Sequence, residues 1–138
     1  MMSNTSAFVR LATQSDAEVI NQHRSSALIE AQQYRGFLTS SDPIGTELQF
    51  VAGYGTTVMG SARIFVIGTQ ADLHHVFVNP DAREVGLADL LITHILSDMK
   101  ARGVSHVSGK ALPGDRATKN LFERHGLIAQ TIIVGKSL

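Results

Sequence analysis

Cysteine is absent from all 138 residues. Without thiols there is no disulfide framework, no thiolate metal site and no cysteine nucleophile. An excess of charge is absent too, with 12 Lys+Arg against 12 Asp+Glu. A neutral chain lacks the basic footprint of a nucleic-acid binder or of a protein drawn to an anionic membrane. No apolar run approaches the roughly 18 residues of a membrane span. The start, Met1-Met2-Ser3-Asn4-Thr5-Ser6, has no basic patch leading into an apolar stretch. No secretory signal is therefore expected, and the expected compartment is the cytoplasm. Among His23, His74, His75, His94, His106 and His125 no pair has H-x-x-x-H or H-E-x-x-H spacing, so no metal site is expected.

What is present describes a folded globule. The hydrophobic share is 43% and the charged share 17%, and the length suits one domain over residues 1–138. Neither repeats nor low-complexity segments interrupt it. Residues 7–12 form a short extended run that ends at Thr13-Gln14-Ser15-Asp16, where Thr13 can cap a helix. Ala17, Val19, Ile20, Ala27, Leu28 and Ala31 predict one or two helices towards Tyr34. Gly36 and Ser40-Ser41-Asp42-Pro43 read as a loop. Residues 48–54, 58–67 and 72–78 are β-rich runs separated by Gly-containing turns, which predicts a three-stranded antiparallel meander.

After Asn79-Pro80 the period changes. Leu87, Leu90, Leu91, His94, Ile95 and Met99 recur at helical spacing and end at Arg102-Gly103. Residues 104–112 predict a strand. Asp115 caps a helix that runs to His125 and stops at Gly126. Leu127-Ile128-Ala129 and Thr131-Ile132-Ile133-Val134 predict a terminal strand. The order β, α, β, β, β, α, β, α, β is α+β, with a strand-helix-strand unit in its second half. His94 and Asp98, four apart, read as a surface pair.

The chemistry concentrates between residues 78 and 88. A strand ends, a Pro turn follows, and Arg83-x-x-Gly86-x-Ala88 opens the long helix. Amides at a helix start lack intrahelical partners, and the macrodipole adds partial positive charge. Small residues there let a pyrophosphate approach the backbone; a Gly-containing helix start that binds nothing is the bland alternative. No G-x-x-x-x-G-K-[ST] and no early G-x-G-x-x-G is present.

The segment resembles the acyl-coenzyme A signature of the GNAT superfamily of N-acyltransferases. Val78, Pro80, Arg83, Gly86 and Ala88 match the family's Val-x-Pro followed by [Gln/Arg]-x-x-Gly-x-[Gly/Ala]. Val58-Met59-Gly60-Ser61-Ala62-Arg63 resembles the preceding strand, and residues 115–127 resemble the late helix. The likeness runs from about Ala7 to Leu127. It implies a mostly antiparallel, partly splayed sheet flanked by helices. It also implies acetyl-CoA as acyl donor and, as acceptor, a primary amine of a small molecule or peptide. The pyrophosphate would lie on the amides across Glu84, Val85, Gly86, Leu87 and Ala88, beside Arg83. The pantetheine arm would lie along Val76, Phe77 and Val78, between strands 72–78 and 104–112. Asp115 and Phe122 occupy further coenzyme positions. Relatives often form homodimers. A non-catalytic acyl-CoA-binding or regulatory domain of the same fold is the alternative.

For the chemistry, Asp72 and His74 share a strand face by the period of two, together with Val76 and Val78. On the register counted back from Val78 they fall where relatives carry a His or Glu base. His74 is the expected general base and Asp72 its helper, with an ordinary packed histidine as the bland alternative. His75 is expected on the other face with Leu73 and Phe77, packed and hydrogen-bonded. Phe122 stands where many relatives carry a Tyr that protonates the thiolate, and Phe has no proton to give. Core packing accounts for it. Acceptor contacts are sought among His23, Arg24, Gln32, Gln33, Tyr34 and Arg35, most of them solvated helix residues. Arg24 or Arg35 suits an anionic group on the acceptor.

Overall fold

The middle of the chain folds back on itself twice through short Gly-Thr turns, because its β-branched and aromatic runs can complete their ladders only against each other. A computed structural model describes residues 6–36 and 42–138. In it β2 (Thr46–Tyr54), β3 (Thr57–Ile67) and β4 (Gln70–Val78) form the expected antiparallel meander. Strand β1 (Ala7–Leu11) pairs antiparallel with β2 on the outer side. On the other edge β5 (His106–Gly109) runs parallel to β4. Spatial order therefore equals chain order, β1-β2-β3-β4-β5.

A parallel junction needs a crossover, and α2 (Leu87–Ala101) supplies it. Leu87, Leu91, Ile92, Ile95 and Met99 form one buried stripe along α2. That stripe packs with Phe50, Ala52, Ala62, Ile64, Leu73 and Val78 of the sheet. Leu121 and Phe122 of α3 (Arg116–Arg124) join the same cluster, so α2 and α3 share one face. The first helix, α1 (Ala17–Ala31), covers the opposite face and buries Ile20 and His23.

Helix α1 leaves Leu28 and Ile29 exposed and buries few side chains, and its entry is held by polar contacts. Asp16 accepts from Thr13 N (2.7 Å) and from Arg10 Nη1 (2.8 Å) and Nη2 (3.2 Å). The Arg10 hydrogen bonds lead in holding the buried Asp16 carboxyl at a pKa of about 2. Asp115 caps α3 by accepting from Thr118 N (3.1 Å) and Thr118 Oγ1 (2.7 Å).

Four expectations need correction. Residues 127–138 form no strand. Ile132, Ile133 and Val134 are 85%, 89% and 88% exposed; β-branched residues favour a strand, but without a partner ladder there is none to join. Strand β5 spans four residues rather than nine, because it pairs with β4 only from Gln70↔His106 to Leu73↔Gly109. The long helix opens later than Arg83: Pro80–Val85 is a 3-10 turn, and Gly86, at φ +84°, turns the chain into α2. Asp98 pairs with Arg102 (2.7 Å) rather than with His94, which lies edge-on to Phe50. The expected loop at Ser40-Ser41 lies outside the described residues.

Leu91→Ala should lower the unfolding free energy by about 2–5 kcal/mol, and Ile133→Ala by less than about 0.5 kcal/mol. Urea denaturation of both variants measures the difference. Equal effects would place the core elsewhere.

Candidate active site

Past Leu73 and Gly109, β4 and β5 part. From His74 to Val78 the outward edge of β4 has no partner strand among the described residues. The expected splay is therefore present, and its apex is at Leu73 and Gly109. At that apex the ring of Phe122 lies against β5: a Cβ on Gly109 would sit 2.9 Å from Phe122 Cε2. Phe122 is 7% exposed, which agrees with core packing.

The segment after α1 crosses to the far wall of this opening. A Cβ on Gly36 would lie 3.4 Å from Pro113 Cδ, and one on Gly114 would lie 3.7 Å from Tyr34 Cδ1. Tyr34 thus bridges α1 to the connection between β5 and α3. Of the other acceptor-side candidates, Arg24, Gln32, Gln33 and Arg35 are exposed. His23 is not: it is buried, donates or accepts at 2.7 Å between Nδ1 and Ser61 Oγ, and stacks near Phe77. Burial lowers its pKa.

At the far end of β4 the Gly86 turn is open. A Cβ there would meet nothing within 4 Å, and Val85 beside it is 65% exposed. Leu90 N donates to Gly86 O at 3.0 Å. The N–H groups of Leu87, Ala88 and Asp89 therefore precede the first closed helical turn. Glu84 and Val85 lie within the 3-10 turn, whose amides bond three residues back. Arg83 is engaged: its Nε donates to Val78 O and its Nη2 to Glu30 Oε1, each at 2.7 Å, and its guanidinium covers Phe77. Asp89, in the first turn of α2, accepts from Arg124 (3.0 and 3.1 Å) and meets His125 Nε2 at 2.8 Å. Those contacts, Arg124 first, hold the Asp89 carboxyl below its ordinary range.

The catalytic candidates lie on β4 where its register steps. Arg63 faces His75 and Ile64 faces Leu73, so His74 is one residue too many and forms a bulge. The bulge changes the expected faces. Val76, Val78 and Leu73 pack on the α2 side. His75, Phe77 and Asp72 register with Arg63, Ser61 and Phe65 on the α1 side. His74 sits edge-on to Phe65 at 5.6 Å, so it shares a face with Asp72 and His75 and not with Val76 or Val78. The period of two fails there because the extra residue resets it.

Side chains on this face carry unusual electrostatics. His74 is half-buried, and burial is the main reason its pKa lies below the ordinary value, with Asp72 opposing. This favours the neutral imidazole, the form that can accept a proton. His75 is packed as expected, but its Nε2 is buried without a hydrogen-bond partner. Burial first, then Arg63 and Arg24, push its pKa down to about 4. Two residues missed in the sequence also stand here. Arg63 is 4% exposed, and Asp42 Oδ1 lies 4.0 Å from His74 Nε2. The one signal of this in the sequence is a basic residue, Arg63, inside a β-rich run.

Two concavities mark the surface. One, of about 340 Å³, lies between β1 and α2 and touches none of these residues. The other, of about 450 Å³, lies between α1 and the ends of β3 and β4 and includes His23, Glu30 and Phe77. The larger concavity therefore borders β4, through Phe77, and the smaller one does not. No group of three or more His, Asp or Glu suited to a metal occurs among the described residues. No described helix is long and apolar enough to cross a membrane.

Residues 13–127 match the acetyltransferase (GNAT) family. This chain belongs to the GNAT acetyltransferase family. The GNAT fold is shared with solved structures of low identity. An aminoglycoside N-acetyltransferase, AAC(6')-Iy, in complex with CoA is 13% identical with TM-score 0.72, covering 100% of this chain and 98% of that one. A transcriptional regulator from Bacillus halodurans is 15% identical with TM-score 0.75, covering 96% and 100%. The ribosomal-protein-S18-alanine N-acetyltransferase from Escherichia coli is 21% identical with TM-score 0.66, covering 88% and 77%. No curated protein matches the sequence. As a GNAT member the chain is an acyltransferase.

A pH dependence follows from His75. Its folded pKa of about 4 lies below the ordinary 6.5, so the unfolded chain binds more protons between those values. Stability should be full above pH 6.5 and fall as pH drops towards 4. His75→Leu should flatten part of that slope in thermal melts, leaving the part due to His23 and His74, which are lowered in the same direction. An unchanged slope would show that His75 is not held neutral.

Proposed function

We propose that this GNAT protein transfers an acetyl group from acetyl-CoA to a primary amine of a small molecule or peptide. The observation that carries the reading is the parted edge of β4, which runs from the His74 bulge at one end to the open Gly86 turn at the other. An extended pantetheine arm can add to such an edge as a strand does. The diphosphate then meets the unpaired amides of Leu87, Ala88 and Asp89 at the positive end of α2. Glu84, Val85 and Gly86 form the turn that delivers it, and Asp115 holds the start of α3 behind β5. Arg83 keeps the turn docked on β4 and α1.

The reaction needs an uncharged amine and somewhere for its proton to go. The amine nitrogen attacks the thioester carbonyl carbon, and the carbon–sulfur bond breaks as the tetrahedral intermediate collapses. His74, neutral near pH 7, takes the amine proton directly or through a water, with Asp72 on the same face. The thiolate takes its proton from water, because Phe122 has none to donate. Similar structures include enzymes named for aminoglycosides and for a ribosomal-protein alanine. Both classes of acceptor are amines, which supports that class without choosing within it.

Acetyl-CoA at about 100 times its Kd should stabilise the fold by about 2.7 kcal/mol, read as a rise in Tm. Gly86→Glu should abolish that rise, since it puts bulk and charge where the diphosphate would lie; the strain of a side chain at φ +84° costs about 1 kcal/mol besides. An undiminished Tm rise in Gly86→Glu would show the phosphates misplaced. Thiol release over a panel of amines tests turnover, and release with none of them would favour a non-catalytic acyl-CoA-binding domain. His74→Ala should lower kcat by about 100-fold or more, with the KM for acetyl-CoA little changed. Equal turnover would remove His74 from the reaction.

A further inference from the structure

We propose that Asp42 is the carboxylate that orients His74, and that Arg63 is the positioning residue that holds Asp42 in place. The proposal rests on the reading of His74 as the proton acceptor. It begins with a cost: a guanidinium buried in a sheet face must find partners. The Arg63 side chain is 5% exposed and finds two, donating from Nε to Glu47 Oε2 at 2.7 Å and from Nη2 to Asp42 Oδ2 at 2.9 Å. Its face also lies over Phe65. Glu47, on the neighbouring strand β2, would alone neutralise the charge. Asp42 is the additional partner, and it comes from the connection leading into β2.

That connection is brought close by Gly45. At φ +130°, a Cβ there would sit 2.6 Å from Val66 O, so only glycine lets the chain pass so tightly against β3. With Oδ2 fixed by Arg63, Asp42 turns Oδ1 towards His74 Nε2 at 4.0 Å. No other described carboxylate comes as near to that ring. Arg63 also stands beside the register step that makes His74 the extra residue of β4. One side chain thus anchors the carboxylate at the same point where the bulge re-aims the histidine. A gap of 4.0 Å is longer than a hydrogen bond, and one water or a small rotation closes it; such contacts are commonly long before substrate binds.

The consequence is a specified tautomer. With the proton on Nε2 facing Asp42, Nδ1 carries the lone pair that accepts from the amine. The charged groups around His74 are Asp72 on β4, Arg63 on β3, Asp42 before β2 and Lys110 after β5. Asp72 and Asp42 favour the imidazolium, while Arg63 and Lys110 oppose it.

Long-range proton–nitrogen NMR on the full chain tests this, with His74→Ala assigning the resonance. Neutral His74 should carry its proton on Nε2. Asp42→Asn should lower the His74 titration midpoint by about half a pH unit or more and lower kcat at least tenfold, with the KM for acetyl-CoA unchanged. Asp42→Glu should restore most of both. His125, paired with Asp89, serves as the unmoved control. Arg63→Lys keeps the charge but loses the fork that bridges two carboxylates, so its midpoint should fall in the same direction. A proton on Nδ1, or a midpoint that stays put in Asp42→Asn, overturns the assignment whatever His74→Ala does to turnover. A midpoint that moves while His74→Ala turns over normally overturns the catalytic reading of His74 instead.

Discussion

The structure depends on a ladder that stops. Strands β4 and β5 exchange hydrogen bonds for four residues and then diverge, which leaves five residues of β4 without a neighbouring strand on that side among the described residues. Unpaired strand edges are liabilities that proteins usually cover, shorten or charge. Here the edge ends in a tight turn and a helix N-terminus whose first amides precede the closed helical turn, an exposure that suits the extended anionic ligand proposed above. The bulge at His74 belongs to the same geometry. An extra residue bends its strand and increases the local twist, and the divergence begins at the residue next to it.

The bulge also explains why the α1 face is so polar. Ser61, Arg63, His74, His75 and Asp72 share the sheet face that α1 packs on, and His23 of α1 meets Ser61 there, where a purely structural interface would hold aliphatic side chains. The opposite face is aliphatic almost throughout. This division lets the molecule keep one dry core for stability while the other face bears desolvated titratable groups. The histidines there are pushed towards neutrality by burial, the form in which an imidazole accepts a proton. The acids and Arg63 neutralise each other, so the face carries chemistry without a large uncompensated charge.

Much of this was legible from residue order. The meander, the crossover helix and the capped late helix follow from periodicity and turn residues, each a local signal. The Arg-x-x-Gly-x-Ala stretch pointed to the open turn because glycine at positive φ and small neighbours leave a trace in the sequence. What escaped was non-local. The bulge arises from a register mismatch between Arg63 and Ile64 on one strand and Leu73 to His75 on another, and no single strand encodes it. Asp42 reaches His74 because of the tight passage of Gly45 past Val66, a contact between segments about twenty residues apart. Ile132-Ile133-Val134 has the composition of a strand, yet a strand is a relation between segments.

In the proposed reaction Phe122 cannot act as a proton donor to the leaving thiolate. The two proton transfers in amine acetylation are not equally demanding. A thiol ionises near pH 8.5, so a thiolate leaves at modest cost, and a general acid improves on a step that water can already serve. The attacking amine must shed a proton to complete the amide, and in the proposed reaction the half-buried His74, biased by burial towards its neutral form, is the base that takes it. Losing the donor at position 122 therefore affects the easier half of the reaction. In exchange, an apolar ring lies on Gly109 at the apex of the parting, where a hydroxyl would need its own partner in a dry site. The ring lies at the residue pair where the ladder ends, one residue before His74 on β4.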